Sequence, residues 1–318
     1  MKMKVLIIGS TGFAGMYLLN ELKEYDKFDI YGTYYHSSSQ NFKIVEKNIK
    51  LFKCDITNYQ SIEKIIKKIK PDILFHFGAY VTVAKSFDEV DKIFETNVLG
   101  TVNVMESIKK NCKDSKVLIS GSNEVYGEVK QDEMPIKESQ TLNPMNPYGI
   151  SKATQEMLGS YYFKVFRIET YLTRTFHYMG PSQPLGFVAP DFAKQVVDVE
   201  RGIREYITVG NLDAKRDFLD IRDVVRAYVD IITNGKPGKI YNVCRGKSIS
   251  IQEIFNILIK NSNNKNIKIK IDSAKLRPSD VPNFVGDNSR LMNDTGWEPE
   301  IKIEKTLKDI IKFWRNQK

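Results

Sequence analysis

A short apolar run near the start of the chain leads directly into a glycine-rich turn. Residues 4–8 read Lys-Val-Leu-Ile-Ile, which is typical of a buried strand in a parallel sheet. Gly9, Gly12 and Gly15 follow, and a helix pattern comes next. Glycines permit a tight turn, and the free N–H groups at the start of a helix suit a pyrophosphate. The arrangement predicts a dinucleotide-binding βα unit, although its Gly-x-x-Gly-x-x-Gly spacing differs from the Gly-x-Gly-x-x-Gly of ordinary dehydrogenases.

Strand and helix patterns alternate along most of the chain. A helix pattern with a stripe of isoleucines lies before Pro71, and a longer helix is predicted over residues 86–110. This alternation predicts an α/β fold, a Rossmann-type doubly wound parallel sheet with helices on both faces. The predicted strands are residues 4–8, 28–33, 49–54, 73–77, 116–120, 170–175 and 239–244.

From about residue 179 the pattern loosens, and glycine, proline and polar residues separate short helices. We therefore predict a smaller, interleaved α/β domain that covers the substrate. The predicted division is residues 1–178 plus 218–245 for the dinucleotide-binding domain and residues 179–217 plus 246–318 for the substrate-binding domain. Ligands of such sheets bind beyond the carboxyl ends of the strands. The residues predicted on that rim are Gly9, Asp55, Gly78, Ser122 and His177.

Composition argues against several classes of function. The net charge is +9, but the lysines are spread over helix faces rather than gathered in one block, which argues against nucleic-acid binding. A solvated surface explains this charge, and a mild attraction for an anionic, diphosphate-bearing substrate is the functional alternative. No apolar run is long enough for a membrane span and no signal sequence is recognisable, so we expect a cytoplasmic protein. The three cysteines and three histidines lack the spacing of a metal site.

Tyr148 and Lys152 form the most informative pair of side chains. Four residues apart on a predicted helix, they lie one turn apart and share a face. A lysine ammonium beside a phenol favours the phenolate, so we expect Lys152 to lower the pKa of Tyr148. The pair therefore predicts a proton donor or acceptor for a sugar hydroxyl or carbonyl.

Three motifs occur together in this chain, Gly9-x-x-Gly12-x-x-Gly15, Ser122-Asn-Glu-Val-Tyr126-Gly127 and Tyr148-x-x-x-Lys152. Together they resemble the extended short-chain dehydrogenase/reductases of the NAD-dependent epimerase/dehydratase family, which act on nucleotide sugars. Later segments narrow the resemblance to the GDP-6-deoxy-D-mannose reductases of that family. These segments include Asp191-Phe-Ala-Lys-Gln195, Val209-Gly-Asn-Leu-Asp-Ala-Lys-Arg-Asp217, Arg277-Pro-Ser-Asp-Val-Pro282 and Gly296-Trp-Glu-Pro299. The resemblance covers essentially the whole chain.

The resemblance implies catalytic roles for four residues. Ser122 would hydrogen-bond the sugar C4 carbonyl, or the oxyanion that forms as hydride arrives. Tyr148 would supply the proton, and Lys152 would lower its pKa while holding the nicotinamide ribose. Glu124 matches the position that acts in C5–C6 elimination in the dehydratases of the family, so a reductase needs it only to orient the sugar.

The resemblance also implies a nicotinamide dinucleotide. The second predicted strand ends in Thr33-Tyr-Tyr-His-Ser37, without the acid that binds an NAD ribose and without an arginine for a 2′-phosphate. Because loss of the acid removes repulsion, and His36, Ser37 and Ser38 offer hydrogen bonds, NADP(H) is favoured and NAD(H) is the alternative. The other matching positions are Thr11, Gly12, Phe13 and Ala14 at the pyrophosphate, Asp55 and Ile56 at the adenine, and Phe77, Gly78 and Ala79 beside the nicotinamide.

A GDP-linked sugar is the substrate that the resemblance implies. Lys194, Arg216 and Arg277 are candidates to pair with the diphosphate. The chain has Arg174-Thr-Phe-His177 where the family usually reads Arg-x-Phe-Asn, which leaves open an altered 4-keto hexose or a heptose. The remaining substrate candidates are Asp280 at the nucleotide ribose, Phe187 and Val188 beside the base, and Ser86, Ser122, His177 and Asn211.

We therefore predict an NAD(P)H-dependent oxidoreductase that reduces the C4 keto group of GDP-4-keto-6-deoxy-D-mannose to a GDP-6-deoxyhexose such as GDP-D-rhamnose. GDP-mannose 4,6-dehydratase, a lyase, and a nucleotide-sugar 4-epimerase are the alternatives. A catalytically silent NADP-sensing regulator on the same fold is disfavoured because Ser122, Tyr148 and Lys152 are all present. The resemblance further implies a homodimer that pairs through the helices at residues 86–110 and 148–164.

Overall fold

A computed structural model describes residues 2–37, 40–47, 49–81, 84–264, 267–272 and 283–317. Its largest element is a seven-stranded, wholly parallel sheet with the strand order β10-β6-β5-β4-β1-β2-β3. This confirms the predicted doubly wound α/β fold. The strands of this sheet are β1 (Met3–Ile8), β2 (Phe28–Tyr34), β3 (Lys50–Lys53), β4 (Ile73–His76), β5 (Lys116–Ser120), β6 (Thr170–Thr175) and β10 (Ile240–Val243).

Helices cover both faces of this sheet and bury separate apolar cores. On one face, α1 and α8 pack on the strands through residues such as Leu18 and Val224. On the other face, α3, α5 and α6 contribute residues such as Ile62, Val104 and Tyr162. The helices are α1 (Phe13–Lys23), α2 (Gln40–Glu46), α3 (Tyr59–Ile69), α4 (Val90–Ile93), α5 (Gly100–Asn111), α6 (Pro147–Phe166), α7 (Val188–Glu200), α8 (Ile221–Asn234), α9 (Ile251–Lys260), α10 (Ser289–Thr295) and α11 (Ile303–Asn316).

A second apolar core forms around α7, α9 and α11, with buried residues such as Phe192, Phe255 and Leu307. Beside it, β9 pairs with β7, β11 and β13, while β8 pairs with β12. The exact domain boundaries given above stay a prediction. The strands of this second region are β7 (His177–Met179), β8 (Tyr206–Val209), β9 (Lys215–Asp220), β11 (Ser248–Ser250), β12 (Lys268–Ile271) and β13 (Asn283–Phe284).

Two local predictions need correction. The long helix predicted over residues 86–110 is interrupted: a 3₁₀ turn at Ala84–Phe87 and α4 precede a π-helical turn at Phe94–Leu99, and only then does α5 begin. His177 comes just after the end of β6, as predicted, and it also begins β7, where its backbone pairs with Phe218 of β9. Five predicted strands differ from β1, β2, β3, β4 and β10 by one residue at one or both ends.

Candidate active site

The turn between β1 and α1 is built for close approach. Gly9 has φ +82°, in the left-handed region that favours glycine, and its N–H donates to Thr33 Oγ1 at 3.1 Å. A Cβ on Gly15 would lie 2.3 Å from the carbonyl oxygen of Gly9, so no side chain fits there. Gly12 caps α1 without a side-chain hydrogen bond, which leaves the first N–H groups of the helix for a ligand. This cradle therefore fits a pyrophosphate.

Substitution of Gly15 tests the cradle. In Gly15→Ala the added methyl would also meet Ser10 Cα at 2.8 Å, so the turn must move. We expect dinucleotide affinity to fall at least roughly tenfold, since the N–H groups lose their alignment. Calorimetric titration with NADPH measures this. Gly202→Ala is the control, because Gly202 also has a positive φ but nothing lies within 4 Å of its Cβ position; equal loss of NADPH affinity in both variants would contradict the cradle.

The other predicted dinucleotide residues lie at the carboxyl ends of neighbouring strands. Asp55, after β3, accepts hydrogen bonds from the N–H and hydroxyl of Thr57 at 2.9 and 2.7 Å. A Cβ on Gly78, after β4, would lie 3.2 Å from Ile56 Cδ1, so these two loops are in contact. His36 and Ser37 are exposed after β2, while Ser38 lies outside the described residues. Thr11, Phe13 and Ala14 begin α1 or lie just before it, and Phe77 and Ala79 flank Gly78.

The turn after β5 meets the start of α6. Ser122 Oγ accepts a hydrogen bond from the N–H of Glu124 at 3.2 Å. Asn146 caps α6 by accepting from the N–H of Gly149 at 2.7 Å, and its amide donates to Glu124 Oε2 at 2.8 Å. Ser122 also lies within hydrogen-bonding reach of the phenol of Tyr148. Ser122, Glu124 and Tyr148 are therefore brought together, as the sequence predicts.

Lys152 is buried one turn after Tyr148. Its ammonium donates to the carbonyl oxygen of Ser120 at 2.8 Å and lies 5.9 Å from the centre of the Tyr148 ring. Burial lowers the pKa of Lys152 to about 7. Burial also raises the pKa of Tyr148, and the hydrogen bond with Ser122 only partly offsets that rise. The expected lowering of the Tyr148 pKa is therefore wrong for this structure, because desolvation by burial outweighs the hydrogen bond with Ser122.

The buried ammonium predicts an unusual dependence of stability on pH. The pKa of Lys152 is about 7 in the folded protein and 10.5 ordinarily, so between these values the unfolded chain binds a proton that the folded chain lacks. The contribution of Lys152 to stability therefore rises with pH across this window, and the full cost of the buried charge is present below pH 7. We expect Lys152→Met to be more stable than wild type at pH 6, by on the order of 1–3 kcal/mol. At pH 9 this advantage over wild type should be smaller.

Urea unfolding at pH 6 and pH 9 measures this difference. Lys64→Met, a change of an exposed lysine on α3, should match wild type at both pH values. A Lys152→Met variant less stable than wild type at both pH values would show that the ammonium stabilises the fold.

Asn97 is a site residue that the sequence analysis missed. It lies fully buried in the π-helical turn, and its side chain exchanges hydrogen bonds with the backbone of Tyr80, at 2.7 Å as acceptor and 3.2 Å as donor. It also donates to Ser151 Oγ at 2.9 Å, and Ser151 donates to the carbonyl oxygen of Tyr148 at 2.7 Å. Asn97 thus joins the loop after β4 to α6, the helix that carries Tyr148 and Lys152. A π-turn within a helix is often found at functional sites, but the sequence pattern does not show the turn.

The charged residues predicted to bind the substrate lie in different surroundings. Arg216 lies half-buried on β9, and its guanidinium donates to the carbonyl oxygen of Lys215 at 2.8 Å. Lys194 is already paired with Asp198, at 2.6 Å one helical turn away, so a diphosphate would have to compete for its charge. Arg277 and Asp280 lie outside the described residues.

The neutral candidates are also dispersed. Phe187 and Val188 are exposed at the start of α7. The ring of His177 lies 5.5 Å from that of Phe218 on β9. Ser86 is fully buried in the 3₁₀ turn before α4, so contact with a substrate would require that turn to open. Asn211 accepts a hydrogen bond from the N–H of Asp213 at 3.0 Å.

Comparisons with known proteins decide the family. The family model described as GDP-mannose 4,6 dehydratase matches residues 6–310. The chain belongs to this family. It is 31% identical over 248 residues to the GDP-6-deoxy-D-mannose reductase of Pseudomonas aeruginosa, covering 78% of this chain and 81% of that protein. It is also 29% identical over 295 residues to the GDP-6-deoxy-D-talose 4-dehydrogenase of Aggregatibacter actinomycetemcomitans, covering 92% of each chain.

Solved structures agree with the GDP-mannose 4,6 dehydratase family assignment. The structure of RMD from Pseudomonas aeruginosa, complexed with NADPH, matches with a TM-score of 0.87 at 27% identity over 99% of both chains. The predicted resemblance to extended short-chain dehydrogenase/reductases is thereby confirmed, and the chain is an NAD(P)-dependent nucleotide-sugar enzyme. In the described part of the chain, no helix has the length and apolarity of a membrane span, and no three His, Cys, Asp or Glu side chains are grouped to hold a metal.

Proposed function

We propose that this enzyme reduces the C4 ketone of a GDP-4-keto-6-deoxyhexose with NADPH and releases a GDP-6-deoxyhexose. The observation that carries this proposal is the convergence of Ser122, Tyr148 and Lys152 beside a cradle fitted to a pyrophosphate. The named activities of the two curated relatives, both on GDP-6-deoxy sugars, support the guanine nucleotide and the sugar class.

Bound NADPH supplies the hydride that converts the C4 carbonyl carbon to a carbinol. Ser122 donates a hydrogen bond to the ketone oxygen and stabilises the negative charge that develops there. Tyr148 gives its phenolic proton to that oxygen, so the ketone gains one hydride and one proton. Burial raises the pKa of Tyr148, which keeps the phenol protonated until an oxyanion more basic than itself forms. The ammonium of Lys152 then offsets the phenolate charge.

For the coenzyme, we propose NADP(H) rather than NAD(H). The described residues after β2 present exposed Tyr35, His36 and Ser37, and no carboxylate among these three would repel a 2′-phosphate. The hydroxyl of Ser37 and the ring of His36 are hydrogen-bonding groups for such a phosphate. Titration with NADPH and NADH in parallel tests this preference, and tighter binding of NADH would overturn it.

The substrate roles rest on charge and exposure. Arg216 provides a guanidinium fork for the diphosphate, with Lys194 and Arg277 as further cations and Asp280 at the ribose. Phe187 and Val188 would provide apolar surface for the base, and His177 and Asn211 are the proposed contacts of the sugar. Ser86 would contact the substrate only after the 3₁₀ turn before α4 opens.

A 4,6-dehydratase is the second candidate function. It is favoured by Glu124, whose carboxylate accepts from Asn146 next to Tyr148 and occupies the position of an eliminating base in that reaction. The family description names the same activity. A dehydratase returns the hydride to C6 of its own substrate, so it needs no net supply of NADPH.

One assay separates these functions. The protein is mixed with NADPH and freshly prepared GDP-4-keto-6-deoxymannose, and absorbance of the reduced nicotinamide is followed. Many turnovers of NADPH per enzyme molecule support the reductase. Absence of NADPH oxidation, together with loss of water from GDP-mannose, would replace it with the dehydratase.

We also propose a homodimer. Exposed apolar side chains follow one face of α6 at Ile150, Met157, Tyr161 and Val165, and Leu99 of the neighbouring π-turn is exposed as well. Such a stripe marks a helix-pairing surface. We expect light scattering to give twice the chain mass for wild type and the chain mass for Met157→Glu, since a carboxylate cannot be buried there unpaired. A monomeric wild type would contradict the proposal.

A further inference from the structure

Asp217 is a fully buried carboxylate in β9 that the reaction chemistry above does not use. Both of its oxygens accept backbone hydrogen bonds. Oδ1 accepts from the N–H of Arg245 at 2.7 Å, and Oδ2 accepts from the N–H of Gly246 at 2.9 Å and of Gly286 at 3.3 Å. One side chain therefore fastens β9 to two segments that are distant in sequence.

Those two segments lie at the rim formed by the carboxyl ends of β6 and β10. Arg245 and Gly246 follow β10, the edge strand of the central sheet, and Gly286 lies just beyond β13. A Cβ on Gly286 would lie 2.6 Å from both Cys244 Sγ and Phe176 Cζ, so this segment packs tightly against the ends of β10 and β6. The carboxylate of Asp217 thus lies where the central sheet and the second region meet.

Arg216, the neighbour of Asp217, is the predicted diphosphate ligand on the same strand. Successive side chains of a strand point to opposite faces, so Asp217 holds the back of β9 while Arg216 points to the other side. Phe218 shares the face of Arg216, and its ring lies 5.5 Å from that of His177. The face opposite Asp217 therefore carries two substrate candidates.

Holding a strand in place with a buried carboxylate costs desolvation free energy. Burial raises the pKa of Asp217 to about 7, and its three backbone hydrogen bonds offset only part of that desolvation. Apolar residues of similar volume often serve stability equally well or better than buried charges. A buried carboxylate whose two oxygens hold separate segments instead fixes one relative arrangement of those segments, which a nonpolar side chain cannot do.

We propose that Asp217 is a positioning residue that holds β9 against the ends of β10 and β13, so that Arg216 is presented to the diphosphate of the nucleotide sugar. This inference rests on the proposed function for the role of Arg216. It assigns no contact between Asp217 and the substrate.

The variant Asp217→Asn tests this role. An amide has one acceptor oxygen, so one of the two segments must lose its hydrogen bonds and face an NH₂ group instead. We expect the dissociation constant of GDP, and the KM of the sugar nucleotide, to rise at least roughly tenfold. NADPH affinity should stay within about twofold and kcat within about threefold, because the residues around Tyr148 are untouched.

Asp223→Asn is the matched control. Asp223 is also a buried carboxylate that accepts backbone hydrogen bonds, from Glu300 at 3.3 Å and Ile301 at 2.9 Å, but it lies in the first turn of α8 and holds the segment before α11 instead of the segments after β10 and β13. Both variants should have a lower melting temperature than wild type, and only Asp217→Asn should bind GDP more weakly. Unchanged GDP affinity in Asp217→Asn, or equal weakening in both variants, would overturn the proposal.

A double-mutant cycle with Arg216→Ala tests whether Asp217 affects GDP binding through Arg216. If Asp217 acts through Arg216, the double variant should bind GDP no more weakly than Arg216→Ala alone; additive losses would overturn this. Wild type is first titrated with GDP, UDP and dTDP. Should UDP or dTDP bind in place of GDP, the proposed substrate would be wrong, and the same variants titrated with that nucleotide would still decide the role of Asp217.

Discussion

Replacing Tyr148 with phenylalanine should lower kcat for ketone reduction by about 10²–10⁴-fold. The change removes only the phenolic oxygen, so the ring keeps its packing at the start of α6 and its position near Lys152. NADPH affinity should remain within about twofold, since the glycine cradle and α1 are untouched. The loss corresponds to about 3–5.5 kcal/mol of transition-state stabilisation.

A second tyrosine on the same helix provides the control for this variant. The hydroxyl of Tyr162 donates to Glu106 at 2.8 Å, and Tyr162 lies near the opposite end of α6 from Tyr148. Tyr162→Phe should keep full turnover and lose about 1 kcal/mol of stability at most. Near-full reduction by Tyr148→Phe, with the control also active, would exclude Tyr148 as the proton donor.

Replacing Glu156 with leucine should destabilise the protein by about 3–5 kcal/mol. Glu156 and Arg174 form a buried bidentate pair, with both nitrogen–oxygen distances at 2.7 Å. Arginine cannot lose its proton within a protein, so Glu156→Leu leaves a buried cation that keeps the carbonyl oxygen of Glu138 and the neighbouring Tyr126 as partners but has no counter-charge from Glu156. The free energy of unfolding from urea titration measures this cost.

Two further variants interpret that result. Glu300→Gln removes the partner of Arg226 in a pair whose carboxylate is largely exposed, and we expect a change below about 1 kcal/mol. Glu156→Leu combined with Arg174→Met should recover part of the lost stability, because no buried charge is then left unpaired. A single variant as stable as wild type would show that water reaches the guanidinium.

The sequence predicts those parts of the site that depend on local patterns. The glycines of the first turn are recognisable because no other residue permits such close approach, and the spacing of Tyr148 and Lys152 fixes their shared helix face. The pairing of Lys194 with Asp198 also follows from their i,i+4 spacing. Parallel strands then place the remaining rim residues together.

Features that depend on long-range packing are not visible in the sequence. The raised pKa of Tyr148 comes from desolvation by surrounding segments, so no local pattern indicates its direction. Asn97 functions through a π-turn and through partners such as Ser151, which lies 54 residues away. The role of Asp217 likewise depends on donors 28 and 69 residues distant.

The most direct test of the proposed reaction follows the hydride itself. NADPH that carries deuterium at both hydrogen positions of the nicotinamide C4 is incubated with the enzyme and GDP-4-keto-6-deoxymannose, and the product is examined by NMR. The reductase mechanism predicts one deuterium at C4 of the sugar for each NADPH oxidised. Tyr148→Phe should form the same labelled product, but only at its reduced rate. Deuterium at C6, or a product free of label, would contradict reduction of the C4 ketone.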